Sequence, residues 1–212
     1  MLYVPPAFHV DDVAEIFEHI EQTGLAMLVT NGADGPVISH IPLVLDQERG
    51  AHGTLSGHLA KANTHWQTGD TSVAAVAVFP GPDAYISPSW YPSKQEHGRA
   101  VPSWNYTVVH ARGRLRFTED ASWLRDNVTA LSDKHEQGRA QPWAVSDAPD
   151  RFIDMQLKSI IGVELEIASL SGKRKLSQNR DAKDIAGVIA GLALEPGGEV
   201  MRDLVKAAAP KR

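Results

Sequence analysis

The sequence predicts an α+β, mostly-β fold: a small antiparallel β-barrel with flanking helices. Two observations predict it. Strand-like runs joined by short turns crowd the first half of the chain, and helical stretches fall between and after them. A parallel βαβ sheet would instead alternate strand and helix one for one. A closed barrel would also leave no sheet edge exposed. With 212 residues the chain can bury a sizeable core, and it reads as a barrel domain over residues 1–180 followed by a helical extension of the same domain over 181–212.

The elements follow in order. Asp11 and Asp12 precede Val13, Ile16, Phe17 and Ile20, an apolar stripe at helical spacing behind an aspartate cap, and the helix should stop near Gly24. Leu25 to Thr30 reads as a strand, Asn31 to Gly35 as a turn and Val37 to Leu45 as the returning strand, with Pro42 marking an edge or a bulge. Thr54 to Leu59 is a third strand leading into a short helical stretch, Ala60 to Thr68. Ser72 to Phe79, rich in Val and Ala, is a fourth, and Ala84 to Ser87 a fifth. A long polar loop covers Pro88 to Pro102, before an alternating strand from Trp104 to Phe117. Leu124, Val128 and Leu131 set a narrow helical stripe within Ala121 to Gln137, and Asp150 to Ile160 forms a second helix. Gly162 to Ile167 alternates as the last strand. The tail from Asp181 to Ala209 is helical apart from the break at Glu195 to Gly198.

Composition narrows the function. A net charge of −5 argues against a surface built for sequence-independent DNA binding, although a local basic pocket remains compatible with it. The helix at Asp11–Thr23 is acidic, so it offers no basic recognition face, and direct DNA binding is not expected. The sequence has no cysteine, which removes disulfides, thiolate nucleophiles and Cys-type metal sites. The first residues lack a basic and apolar leader pattern, and the longest nearly apolar run, Val73 to Phe79, is too short to span a bilayer. A cytoplasmic protein with no membrane association is expected. The nine histidines show no HExxH-like spacing, so no metal site is expected, and neither a GxSxG elbow nor a glycine-rich nucleotide loop occurs.

Three constellations could carry chemistry. In Ser56-Gly57-His58-Leu59-Ala60-Lys61-Ala62-Asn63 a strand runs into a helix. Gly57 permits close backbone approach, and Ser56, His58, Lys61 and Asn63 offer donors to an anion; a helix cap beside a solvated lysine explains the same residues. Lys173 to Arg180 gathers four cations and no acid, suited to gripping a phosphate or simply to a wet basic loop. The segments Ser89–Lys94 and Val101–Tyr106 interleave aromatic rings with amides and hydroxyls. Trp104 could cover a planar ring while Asn105 fixes its polar edge, or the loop could pack over the barrel mouth.

Taken together, Tyr3-Val4-Pro5 with Phe8, Gly57 to Asn63, Ser89 to Lys94, Val101 to Tyr106 with His110, and Lys175 to Arg180 resemble, in order and spacing, the PaiB family of FMN-binding negative transcriptional regulators. Thr64 stands where that family usually carries proline. The resemblance implies a Greek-key split barrel and a homodimer with FMN at the subunit interface. It places the phosphate near Ser39, His40, Ser56, Lys61 and Asn63, with Gly57 and His58 beside them. Trp104, Asn105 and the Lys175–Arg180 segment, with Lys175, Gln178 and Arg180, would come from the partner subunit. A regulatory or sensing role is the reading that follows. A flavin-dependent oxidoreductase acting on a small molecule is the alternative, and a haem protein with His58 or His110 as axial ligand is a third.

Overall fold

A computed structural model describes residues 2–210. Within them the chain forms strands β1 (His9–Val10), β2 (Ala26–Gly32), β3 (Gly35–Ile41), β4 (Val44–Asp46), β5 (Thr54–Ala60), β6 (Ala75–Ile86), β7 (Ser103–Thr118) and β8 (Ile160–Lys175). The helices are α1 (Val13–Gln22), α2 (His65–Thr68), α3 (Pro92–His97), α4 (Ala121–Glu136), α5 (Asp150–Leu157), α6 (Ala182–Leu192) and α7 (Glu199–Ala208). None is long and apolar enough to cross a membrane.

The strands form one sheet in the order β3-β2-β6-β7-β8-β5-β4, with β1 added along β8. The pairings of β2 with β3 and β6, and of β5 with β4 and β8, are antiparallel. The expected closed ladder is not there: the path ends at β3 on one side and β4 on the other. Those two ends are joined covalently by Pro42 and Leu43. Proline has no N–H to give a ladder, so the expected second strand breaks into β3 and β4 at that corner.

Several elements lie where the residues predict them. Asp12 Oδ1 accepts from Ala14 N–H at 2.8 Å, the aspartate cap of α1. The β2–β3 hairpin closes with Gly32 opposite Gly35, and Gly35 takes φ +127°, which only glycine adopts freely. Others differ. The fourth and fifth expected strands are one strand, β6, that runs through Pro80 and Pro82. The ladder to β2 has its last pair at Val78, so neither proline owes that neighbour an N–H. The expected loop at 88–102 holds a 3-10 turn, Pro88–Trp90, and α3. The last strand is 16 residues long, not six, because its polar end pairs with β1, His9 opposite Lys173.

The chain divides into two compact units. One comprises residues 1–16, 80–109 and 171–212, and the other residues 17–79 and 110–170. The first has a core of Ile86, Tyr91, Leu176, Ile185, Val188, Leu192, Met201 and Val205. Here α6 packs against the Trp90 turn so closely that a Cβ on Gly187 would lie 1.9 Å from Trp90 O, and one on Gly191 2.2 Å from the indole. The second unit buries the inward residues of its strands, among them Leu28, Ile41, Leu55, Ala77, Ala111, Leu115, Val163 and Leu165. Under α4 and α5 it has a smaller cluster of Leu124, Val145, Ile153 and Leu157.

Candidate functional site

In the first unit, β7 begins and β8 ends side by side, and a tight turn follows β8. Gln178 ties that turn: its Oε1 accepts from Leu176 N–H at 2.7 Å and its Nε2 donates to Arg174 O at 2.6 Å. Ser177 takes φ +65°, rare for a residue with a side chain, and Leu176 beneath it is buried. This conformation turns Ser177 toward Asn105, whose Nδ2 lies 3.0 Å from Ser177 Oγ. Arg180 stacks on the ring of Tyr91 at 4.8 Å.

Lys175 Nζ donates to Ser103 Oγ and to Trp104 O, each at 2.8 Å. Burial holds its ammonium below the ordinary lysine range. Tyr106 works against that, while Lys173 and Arg180 add to it. The result is a cavity of about 170 Å³ lined by Phe8, Tyr91, Ser103, Asn105, Lys175, Ser177, Asn179 and Arg180. Two cations, two serine hydroxyls and two amides converge on it with the rings of Phe8 and Tyr91, and no carboxylate is among them.

Trp104 does not join this lining. Its indole Nε1 donates to Asp83 Oδ1 at 2.9 Å, its ring meets Tyr85 edge-on at 6.0 Å, and it is half exposed. Lys173, two residues before Lys175 on β8, is buried between the rings of Tyr3 and Tyr106 at 5.3 and 5.0 Å.

The second unit carries the other expected residues, arranged around a histidine the sequence did not single out. His65 is buried, with Nδ1 2.8 Å from Ser39 Oγ and Nε2 2.9 Å from Thr30 Oγ1. Asn63 Nδ2 donates to Ser39 Oγ at 3.0 Å, and its Oδ1 accepts from His65 N–H at 3.0 Å. Ser39 and Asn63 are therefore committed to this network. His58 Nδ1 lies 3.1 Å from Asn127 Oδ1, and Lys61 Nζ pairs with Glu119 at 2.6 Å. Lys61 also borders a groove of about 310 Å³ that holds Glu119, Asp154 and Lys158, a balanced set of charges. Gly57's freedom is used by the chain itself: a Cβ there would lie 2.6 Å from Pro42 O at the β3–β4 corner. His40 is exposed on β3, and Ser56 is half-buried opposite Val44 and Glu164.

Sequence reasoning missed Tyr91, Ser103, Ser177 and Asn179 as site residues, although each lies in or beside a quoted motif. His65 gave no local signal, since its partners come from β2 and β3.

An open-path antiparallel barrel with flanking helices defines the split-barrel class. Fold comparison agrees. The FAD and haem binding protein of Mycobacterium smegmatis superposes with a TM-score of 0.58 at 17% identity, covering 84% of this chain and 78% of that one. The flavocytochrome Anf3 of Azotobacter vinelandii gives 0.56 at 14%, covering 84% and 75%. Residues 2–169 match the family described as "Putative FMN-binding domain". The Protease synthase and sporulation protein PAI 2 of Bacillus subtilis is 30% identical over 207 residues, 97% of each chain. A protein of Emericella nidulans is 31% identical, covering 87% of this chain and 88% of that one. The chain belongs to the PaiB-type FMN-binding family, and FMN is its cofactor.

The residues present fit that group in part. A convergent set of donors without a carboxylate suits a phosphate dianion. About 170 Å³ is well below the roughly 300–1,000 Å³ of pockets that enclose a whole drug-sized ligand, so the cavity accommodates one end of FMN and not its ring system.

Proposed function

We propose that this chain is a homodimeric FMN-binding protein with a regulatory or sensing role, and that the Lys175–Arg180 cavity takes the phosphate of the cofactor. The observation that carries this reading is the cavity's lining: two cations and four neutral polar side chains, with no carboxylate to repel an anion. Arg180 is held on Tyr91 and Lys175 on Ser103, so both charges are in place before the ligand arrives. In the dimer, His40, Ser56, Gly57, His58, Lys61 and Asn63 of the second copy flank the cofactor; Lys61 would exchange its exposed pairing with Glu119 for the ligand, while Ser39 and Asn63 support the turn through His65. Bound FMN supplies electron-transfer chemistry, and the chain's residues bind and orient it.

Flavin fluorescence titration with FMN and with riboflavin, which lacks the phosphate, tests the assignment. Lys175→Ala and Arg180→Ala should each weaken FMN at least tenfold and leave riboflavin nearly unchanged. Equal losses for both ligands would show that the cavity contacts the ring instead. Sedimentation of the loaded protein tests the dimer, and a Soret band in place of flavin bands would favour haem. The flavin-dependent oxidoreductase reading predicts FMN-dependent oxidation of a reduced nicotinamide, which a purely sensing protein would not sustain.

A further inference from the structure

In the second unit, β7 alternates buried Ala111, Gly113 and Leu115 with Arg112, Arg114 and Arg116, all three exposed on the outer face. The neighbouring β8 places Glu164, nine-tenths buried, beside this row. Its Oε1 accepts from Arg116 at 3.0 Å and its Oε2 forms an ion pair with Arg49 Nη2 at 2.6 Å. One buried carboxylate thus orients two guanidiniums, each about half exposed. Each turns one end of its guanidinium to Glu164, and its other N–H donors remain for a ligand at a hollow of about 200 Å³ that Arg49, Thr54, Arg116 and Glu166 also border. Among the described residues, Arg112 and Arg114 make no hydrogen bond or ion pair. With Glu164, Glu166 and Asp46 counted, the last lying opposite Thr54 on the same face, four arginines and three acids leave this face at about +1 on a chain whose net charge is −5.

From this juxtaposition we propose that the Arg112–Arg114–Arg116 row, anchored by Arg49 and Glu164, binds the phosphodiester backbone of a single-stranded nucleic acid. Alternate residues of a strand repeat at about 6.8 Å along a straight line, a run that an extended, unstacked single strand can follow with one phosphate to each arginine. Arginine's planar fork suits phosphate oxygens. The row is a straight line with no helix or ribbon to enter a groove, so it contacts backbone and reads no bases. A flexible single strand can follow such a line, whereas a duplex backbone winds away from it. Binding is therefore weak, insensitive to sequence and steeply salt-dependent. None of these residues belongs to the proposed flavin site.

Anisotropy of a labelled oligothymidylate, titrated with the full-length protein across a range of sodium chloride, tests this. Three to four neutralised phosphates give a slope of log affinity against log salt of about −2 to −3. Arg112→Gln with Arg114→Gln should reduce the slope by about 1.4, and the paired Arg→Lys variant should keep it, with FMN titration unchanged in both. Absence of saturable binding at low salt, an unchanged slope in the glutamine variant, or tighter binding to a duplex would overturn the proposal.

Discussion

Replacing His65 with phenylalanine isolates the buried network of the second unit. The ring volume is roughly kept and the edge-on contact with Phe117 at 6.3 Å remains feasible, so the change is mainly in hydrogen bonding. Thr30 Oγ1, on a residue only 3% exposed, loses its partner at Nε2, while Ser39 loses Nδ1 but still accepts from Asn63. One newly orphaned buried hydroxyl costs about 1–3 kcal/mol, and each lost hydrogen bond about 1 kcal/mol, so the drop should be about 3 kcal/mol. For a chain of this length that lowers Tm by roughly 6–12 °C. The same residue sets a pH dependence. Burial holds the His65 imidazole below its ordinary value, so the unfolded chain takes up a proton before the folded one does. The contribution is complete above pH 6.5 or so and is lost as pH falls from there toward the folded value, with a slope of at most about 1.4 kcal/mol per pH unit. Urea unfolding of both proteins at pH 7.5 and pH 5.5 checks both parts. A loss below about 1 kcal/mol at neutral pH, or an acid slope equally steep in the His65→Phe protein, would refute the reasoning.

Other outcomes follow from single contacts. Thr107 Oγ1 is buried without a partner among the described residues, so Thr107→Val should stabilise the cofactor-free protein by about 1 kcal/mol in chemical denaturation; destabilisation would reveal an unseen partner. Asp184→Ala strips acceptors from Ser93 N–H and Oγ, at 3.0 and 2.7 Å, and should cost about 2 kcal/mol and expose the α3 segment to limited proteolysis. Gly113→Ala would set a Cβ 1.9 Å from Glu166 O between two central strands, and the protein should fail to accumulate in soluble form; a normal yield with an unchanged melting curve would contradict the close approach.

The parts of the fold legible in the sequence are those governed by neighbours along the chain. Asp12 announces α1 and the Leu124–Val128–Leu131 stripe announces α4 because a cap and an apolar stripe are local signals, and Gly35 marks its hairpin for the same reason. The polar end of β8 was not legible: Ser171 to Lys175 has no strand pattern, and its pairing with β1 is set by tertiary context. The site divided likewise. Lys175 and Arg180 stood out as cations in an acidic chain, but their cavity needs Ser103, 72 residues away from Lys175, and Tyr91, which looks like any loop aromatic. His65 was one histidine among nine, distinguishable only once β2 and β3 were folded around it.

Gln178 closes the turn after β8 on Leu176 N–H and Arg174 O, and that turn lies between the two cations of the cavity. One side chain therefore sets the spacing of both charges, so a change confined to Gln178 would shift them together while the packed strands stay as they are.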